Sequence, residues 1–165
     1  MTKSLYFEDL HVGQRFVSEP EEVTEEAIIR FARDNDPQYF HVDPFTARES
    51  MFGGLVASGW QTAAATVRHL LERSGATFPG GVVGVETTIA WKRPVRPGDR
   101  LHIEGEITGL RLSRSSPERG FATFDSKTLD RAGRVVQTLR ATMLINRDPR
   151  RRETSGADDV RMKTV

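Results

Sequence analysis

The sequence predicts an α+β protein in which two helices precede an antiparallel sheet. Two observations predict the helices: apolar residues recur at helical spacing in residues 24–35 and again in residues 58–75. A third observation predicts the sheet: residues 81–146 are rich in β-branched residues, and in part of this range apolar and polar residues alternate. Helices followed by a run of strands indicate a segregated α+β architecture.

The first elements along the chain are an extended arm and a helix. Residues 6–20 alternate loosely around a Val-Gly turn and end at a proline, which favours a short strand. Thr24 then offers an N-cap, and the two glutamates after it suit the positive end of a helix. This helix should end before Pro37, because the residue preceding a proline is displaced from the helical region.

The second helix is predicted over residues 58–75. Ser58 can serve as its N-cap and Gly75 as its stop. Three consecutive alanines, residues 63–65, let another backbone approach closely, as a helix held by a curved sheet requires. One continuous apolar stripe runs along the helix and consists of Trp60, Ala63, Ala64, Val67, Leu70 and Leu71.

Four strands are predicted after this helix, in residues 81–95, 101–110, 121–129 and 134–146. The second of them alternates cleanly, with Leu101, Ile103 and Ile107 on one face. We expect residues 1–146 to form a single domain. Residues 147–165 have no apolar period, and we expect them to form a mobile polar tail.

Composition limits the classes of function. The chain has 165 residues, and its 24 basic and 23 acidic side chains nearly balance, which gives no electrostatic basis for a nucleic-acid partner. The absence of cysteine excludes disulfides, thiolate zinc sites and a cysteine nucleophile. No apolar run approaches the ~20 residues of a membrane span. The start of the chain lacks the apolar region of a signal peptide, so we expect a soluble cytoplasmic protein without a membrane partner.

Asp36 and His41 stand in a stretch that permits two interpretations, FARDNDPQYFHVDPFTARES. Asp-Pro is an ordinary N-cap followed by the first helical residue, and Asp43 with Pro44 repeats that arrangement. A lone histidine in a loop is usually a polar surface residue. The alternative is a reactive acid/base pair five positions apart. The spacing alone leaves both open.

The residues that follow favour the reactive pair. A glycine-bearing loop, MFGGLVASGW, runs directly into the start of the second helix. Helix N-termini carry unpaired N–H groups and a partial positive charge that stabilise negative charge developing on an oxygen. Gly59 also removes side-chain bulk where a substrate carbonyl would approach. Proton transfer and an oxyanion hole are together the two halves of an enolate-forming site.

Three ordered motifs in the chain then carry a family resemblance. The stretch DPQYFH resembles the Asp-x-Asn-Pro-x-His signature of MaoC-like, (R)-specific enoyl-CoA hydratases. The stretch HVDPFTARESMFGGLVASGW resembles the segment that follows this signature, and WKRPVRPGDRL resembles the family's Pro-Val-x-x-Gly-Asp segment. The resemblance covers the chain from about residue 5 to residue 146.

The resemblance implies a fold, a reaction and a set of site residues. The fold is the hotdog, in which a curved antiparallel sheet wraps a long central helix. The reaction is the reversible hydration of an enoyl-CoA, an acyl-CoA thioester, with no cofactor. Asp36 and His41 would activate the water, with the roles of acid and base left open, and the thioester oxygen would meet the Gly59 amide, with Ser58 beside it.

The chain departs from the signature at two positions of the motif. Gln38 replaces the usual Asn, which keeps the amide chemistry and adds a methylene, and Tyr39 replaces the usual Pro. Asp34 is a second acidic candidate, but only Asp36 keeps the five-residue interval to His41.

The remaining candidates have two interpretations each. Lys92, Arg93 and Arg96 are possible contacts for the coenzyme A phosphates, or simply a solvated strand end. Trp60 and Trp91 favour core or interface packing over substrate contact. The other three histidines show no partner pattern, and scattered histidines do not make a metal site.

Open sheet edges and the acyl site predict a homodimer or a dimer of dimers. The strand containing TTIAWK and the final strand would supply its surface. Two other functions stay open on the same fold, an acyl-CoA thioesterase and a non-catalytic acyl-CoA-binding subunit. The Asp-to-His interval favours the hydratase.

Overall fold

The computed structural model describes residues 3–151, and its helices and strands follow the predicted order. The helices are α1 (Glu25–Asn35), α2 (Tyr39–Val42) and α3 (Gly59–Arg68), the last continuing into a π-helical segment, His69–Arg73; two 3-10 turns span Phe7–Asp9 and Thr46–Glu49. The strands are β1 (Lys3–Ser4), β2 (Arg15–Val17), β3 (Glu21–Glu22), β4 (Ala76–Thr77), β5 (Val82–Trp91), β6 (Arg100–Leu112), β7 (Arg119–Leu129) and β8 (Val135–Asn146).

The main sheet is antiparallel and runs in the order β2-β6-β7-β8-β5, with β3 pairing the start of β6. β1 and β4 form a separate parallel pair. A sheet of this kind with a central helix against it confirms the α+β class and the hotdog fold. The final strand, β8, is bonded on both sides, to β7 and β5. Of the two strands expected to supply the dimer surface, β8 therefore lies inside the sheet, and only β5 has a free edge among the described residues.

The inner face of the sheet follows the alternation in β6. Leu101, Ile103 and Ile107 are at most 2 % exposed, as predicted. Gly105 lies between them on the same face, and Phe124 of β7 fills the space above it. A Cβ built on Gly105 would meet the Phe124 ring at 2.1 Å. This position is therefore a glycine because an aromatic ring takes the volume of its side chain.

The buried face of α3 differs from the apolar stripe in the sequence. Trp60 is 59 % exposed, Val67 53 % and Leu71 37 %. Of the stripe, only Ala63 and Leu70 are buried. The other residues that α3 and its π-helical extension bury are Thr62, Thr66 and His69. Most of the predicted stripe is thus turned away from the core, toward a groove beside β5, and the buried face carries three polar side chains.

The π-helical end of the central helix is held by a polar cluster that the sequence did not reveal. Glu21 of β3 accepts hydrogen bonds from Arg68 and Arg73, and its Oε2 lies 3.2 Å from His69 Nε2. His69 Nδ1 lies 2.8 Å from the Ser18 hydroxyl. Burial lowers the pKa of His69, and the neighbouring Glu21 only partly offsets this. His69 therefore has partners, contrary to the expectation from spacing, and the cluster ties β3 to the central helix.

The predicted tail begins at Arg147, and its first residues contact the N-terminal segment. Arg147 Nε donates to Glu8 at 2.6 Å, and the backbone N–H of Asp148 donates to the same carboxylate at 2.9 Å. Residues 152–165 of the predicted tail lie outside the described residues. Between residues 3 and 151, no helix has the length and apolar character needed to cross a membrane.

Candidate active site

Asp36 and His41 are brought together by a sharp change of direction at the end of α1. The N–H of Asp36 bonds to Ala32 O and closes the helix, and Pro37 prevents its continuation. Gln38 then starts the short helix α2, which returns His41 toward Asp36. The result is a separation of 3.4 Å between His41 Nε2 and Asp36 Oδ2, with His41 only 6 % exposed.

This geometry removes the N-cap interpretation of Asp36 and places its carboxylate beside His41. Its side chain caps no helix, because it lies at the C-terminal end of α1 and points to His41. Asp43, by contrast, accepts a hydrogen bond from the Phe45 N–H at 2.9 Å and orders the local turn. The two Asp-Pro steps look alike in sequence, but the structure uses them differently.

The other ring nitrogen of His41 determines which end of the imidazole carries a lone pair. His41 Nδ1 lies 2.7 Å from the carbonyl oxygen of Val56. Since a carbonyl can only accept, Nδ1 must be the protonated nitrogen. In the neutral ring, Nε2 is then the free acceptor, and it faces Asp36. Two proton acceptors, an imidazole nitrogen and a carboxylate, therefore converge on one point.

Asp36 is held as a carboxylate by its neighbours. Ser58 Oγ donates to Oδ2 at 2.7 Å, and Gln38 Nε2 donates to Oδ1 at 2.8 Å. Burial raises the pKa of Asp36, but the two hydrogen bonds, together with the positive charge that His41 carries when its ring is protonated, outweigh it, so the pKa lies below its ordinary value. Gln38, which replaces the usual Asn of the motif, thus helps to hold Asp36 in its charged form.

We expect Gln38→Leu to raise the pKa of Asp36, because it removes one hydrogen bond that favours the charged form. A carbon-detected NMR titration of the Asp36 carboxyl group should show its midpoint at higher pH. Since the folded pKa lies below the unfolded one, this carboxylate stabilises the fold above the unfolded pKa, and that stabilisation is lost as pH falls. Tyr39→Phe, which removes no bond to Asp36, is the matched control. An unchanged or lowered midpoint in Gln38→Leu would contradict the assignment.

Ser58 is the N-cap of α3 and a hydrogen-bond partner of Asp36, but it is fully buried and is not part of the cavity lining. Its Oγ accepts the Trp60 N–H at 3.2 Å and so caps α3, while its hydroxyl proton goes to Asp36. Gly59 is the first helical residue, and its N–H has no hydrogen-bond partner within residues 3–151. The site therefore contains an unpaired N–H at the positive end of a ten-residue helix.

The space beside Gly59 is filled by Trp91. A Cβ on Gly59 would meet the Trp91 ring at 2.6 Å, and Trp91 Nε1 donates to Gly59 O at 3.0 Å. Trp60 packs edge-on against Trp91 with 5.3 Å between ring centroids. The Trp91 indole occupies the space that a side chain at position 59 would need, which is one reason for a glycine there. The sequence alone did not show this reason.

A cavity of about 520 Å³ brings most of the candidates together. Its lining includes Asp36, His41, Gly59, Lys92 and Arg93. Two other candidates lie elsewhere. Arg96 braces the preceding loop by donating to Phe52 O at 2.5 Å, and Asp34 lines a different groove, beside α1.

Several partners in the site were missed by sequence reasoning, and the signal for each differs. Gln38 lies inside the motif, so its position could have suggested a contact with Asp36. Val56 acts through its backbone carbonyl, which any residue provides, and Trp91 lies 32 residues from Gly59. No sequence pattern reports contacts of those two kinds. Within the described range no three histidine or acidic side chains are placed to bind a metal ion.

Comparison with known proteins gives a consistent result. A family model described as MaoC like domain matches residues 9–124. The matched range includes all residues that line the cavity except Val136. The (R)-specific enoyl-CoA hydratase of Rhodospirillum rubrum is 33 % identical over 144 residues, covering 85 % of this chain and 91 % of the relative. The 3-hydroxybutyryl-CoA dehydratase of Methylorubrum extorquens is 32 % identical over 108 residues, covering 64 % and 66 %.

One solved structure extends this similarity to the fold. The crystal structure of a MaoC-like dehydratase from Rhodospirillum rubrum superimposes with a TM-score of 0.81 at 44 % identity. The match covers 88 % of this chain and 99 % of that one. The hotdog architecture is therefore shared over nearly the whole length of the neighbour.

Proposed function

Because the chain belongs to the MaoC-like dehydratase family, we propose that it hydrates the double bond of an enoyl-CoA and catalyses the reverse dehydration. One observation carries the proposal: His41 Nε2 and Asp36 Oδ2 lie 3.4 Å apart on a cavity that also contains the start of α3. That cavity combines proton acceptors with an unpaired N–H group. The relatives named as an enoyl-CoA hydratase and a 3-hydroxybutyryl-CoA dehydratase support the same reaction.

The geometry assigns a task to each group. A water molecule bound between Asp36 and His41 gives a proton to His41 Nε2, the free acceptor, while its oxygen bonds to C3 of the substrate. The π electrons move toward the thioester oxygen, and the resulting enolate is stabilised by the Gly59 N–H. The proton then passes from His41 to C2, which restores the starting state. One water is added in total, and no cofactor takes part.

Asp36 has a supporting role in this scheme. Its carboxylate, held by Ser58 and Gln38, accepts the second hydrogen of the water and so fixes the oxygen for attack. It also stabilises the imidazolium that forms when His41 is protonated. Lys92 and Arg93 lie on the cavity lining and are proposed to meet the phosphates of coenzyme A.

The experiment is an assay with a short trans-2-enoyl-CoA. Hydration would remove the enoyl absorbance and form a 3-hydroxyacyl-CoA, without release of free coenzyme A thiol. Release of thiol with little hydration would instead identify a thioesterase. Saturable binding without either reaction would identify an acyl-CoA-binding subunit.

We also propose that the protein is a homodimer joined at β5. This strand pairs with β8 on one side and with no strand of the described part on the other. Val83 and Val85 on β5 are 56 % and 57 % exposed, and the exposed stripe of α3 lies beside the same edge. A second copy paired there would satisfy the free N–H and C=O groups and cover these apolar side chains.

The expected mass in light scattering at micromolar concentration is twice the 18.5 kDa of the chain. Val85→Lys should shift the protein toward the monomer, because it places a charge at the proposed contact. Val12→Lys, at a similarly exposed valine away from β5, should leave the mass unchanged. An active wild-type monomer would contradict this assembly.

A further inference from the structure

The proposed oxyanion donor belongs to a residue that has no side chain to hold it in place. Gly59 is the first residue of α3, and glycine has the widest conformational freedom of all amino acids. Its N–H bonds to no group within residues 3–151, so no hydrogen bond of its own fixes its direction. A donor stabilises an enolate best when it already points at the oxygen on which charge develops. The surroundings of Gly59 must therefore set the direction of this N–H.

The peptide that carries the N–H joins Ser58 to Gly59, and it is held from both ends. At one end, the fully buried Ser58 donates its hydroxyl proton to Asp36 Oδ2 at 2.7 Å. At the other end, Trp91 Nε1 donates to Gly59 O at 3.0 Å. The first contact fixes the residue before the peptide, and the second fixes the carbonyl group that follows it.

The Trp91 ring also restricts Gly59 by direct contact. A Cβ built on Gly59 would meet three atoms of the indole at 2.6, 2.8 and 2.9 Å, so the ring lies against the backbone at this residue. Trp60 packs edge-on against Trp91, with 5.3 Å between the ring centroids, and this contact limits movement of the Trp91 side chain. The indole therefore restricts Gly59 through both a hydrogen bond and a packing surface.

Trp91 is itself attached to the sheet, and the sheet is attached to α3 at a second point. Trp91 is the last residue of β5 and pairs with Gln137 of β8. Gln137 is fully buried, and its Nε2 donates to Thr66 Oγ1 of α3 at 2.9 Å. Thr66 lies about two turns after Gly59 on the same helix. Because this contact holds α3 against β8, Trp91 meets Gly59 from a fixed position.

We infer that Trp91 is a positioning residue for the hydration: its indole ring and N–H hold Gly59 so that the Gly59 N–H points at the thioester oxygen. The inference rests on the proposed function and adds a residue to it. Trp91 takes no part in the transfer of the proton or in the formation of the bond to C3. Since the N–H binds an enolate more strongly than a neutral thioester, its loss of orientation raises the barrier more than it weakens substrate binding.

Trp91→Phe tests the inference, because it keeps an aromatic ring beside Gly59 and removes the indole N–H. For hydration of a four-carbon trans-2-enoyl-CoA, kcat should fall about 10-fold while KM changes less than about threefold. The effect is smaller than the ~100- to 1,000-fold loss of a complete oxyanion donor, because the Gly59 N–H remains present. Trp91→Tyr, which also keeps a ring and lacks the indole N–H, should behave in the same way.

The control is Ser74→Ala. The Ser74 hydroxyl donates to Leu70 O at the other end of the central helix, and neither residue lines the catalytic cavity. This variant therefore also loses a side-chain hydrogen bond to a carbonyl of the same helix, but it should keep the wild-type kcat and KM.

A spectroscopic measurement reports on the donor without requiring turnover. Butyryl-CoA labelled with carbon-13 at the thioester carbonyl lacks the double bond and is not hydrated. A donor that polarises the carbonyl moves its resonance downfield, so the resonance bound to the wild type should lie downfield of the free one. This displacement should shrink in Trp91→Phe and Trp91→Tyr and stay at the wild-type value in Ser74→Ala. Circular dichroism and light scattering check the fold and the assembly of each variant.

The outcomes separate the inference from the proposed function. Unchanged kcat and an unchanged carbonyl resonance in a folded Trp91 variant overturn the inference while the proposed function stands. A raised KM at constant kcat also overturns it, because Trp91 then contributes to substrate binding alone. A wild-type carbonyl resonance that does not move on binding removes Gly59 as the donor, and the inference with it. A wild type that hydrates no enoyl-CoA overturns the proposed function itself. Two variants are included so that a folding defect in one leaves the other as the test.

Discussion

Asp36→Asn should lower kcat/KM for enoyl-CoA hydration by at least ~100-fold, the usual scale for losing a general acid or base. Asparagine keeps the size of the side chain but removes the charge that orients the water and stabilises protonated His41. His41→Asn should have an effect of the same order, because it removes the nitrogen that accepts the proton. Steady-state kinetics on a short enoyl-CoA, with the fold checked by circular dichroism, measures both.

The control is Asp34→Asn, two positions earlier. Asp34 is exposed on α1 and lines a different groove from the one that contains His41, so this variant should keep nearly all of its activity on a short enoyl-CoA. Near-normal turnover in a folded Asp36→Asn protein would remove the pair from the mechanism. Loss of activity in Asp34→Asn alone would transfer the role to that residue.

Gly105→Ala should destabilise the protein by about 1–3 kcal/mol, the usual cost of forcing an extra group into a packed core. The added Cβ would lie 2.1 Å from the Phe124 ring, which is 2 % exposed and held by the surrounding core. The ring must move, and its neighbours on the inner face of the sheet must move with it. Thermal unfolding should show a Tm lower by about 2–4 °C for each kcal/mol.

A matched alanine substitution separates this clash from the general effect of removing a glycine. Gly84 lies in β5, and a Cβ there would meet no atom within 4 Å. Gly84→Ala should therefore change stability little, or raise it slightly by restricting the unfolded chain. Equal Tm values for the two variants would show that the core beside Phe124 accommodates the extra carbon.

The sequence alone was sufficient to place the main helices and strands, although not the short elements α2, β1, β3 and β4. Thr24 and Ser58 were predicted as caps, and in the structure each accepts a hydrogen bond from the first turn of its helix. The alternation in β6 correctly predicted its inner face. These features depend on local chemistry, because caps, turns and periodicity act between residues that are close along the chain. The motif that contains Asp36 and His41 is local in the same way, since only one tight turn separates them.

Only the tertiary structure decided which faces meet and which groups are paired. Periodicity showed that α3 has an apolar stripe, but such a stripe can be covered by the chain's own sheet or by another surface. In this fold the face of α3 that packs against the core is the one with Thr62 and Thr66. Likewise, β8 and β5 have similar compositions, so the sequence did not show which of them lies at the edge of the sheet. The observed strand pairing places β5 there. The contacts of His41 with Val56, of His69 with Ser18 and of Gly59 with Trp91 join residues 15, 51 and 32 positions apart. Contacts at that separation depend on how the sheet closes over the helix, and no local pattern encodes them.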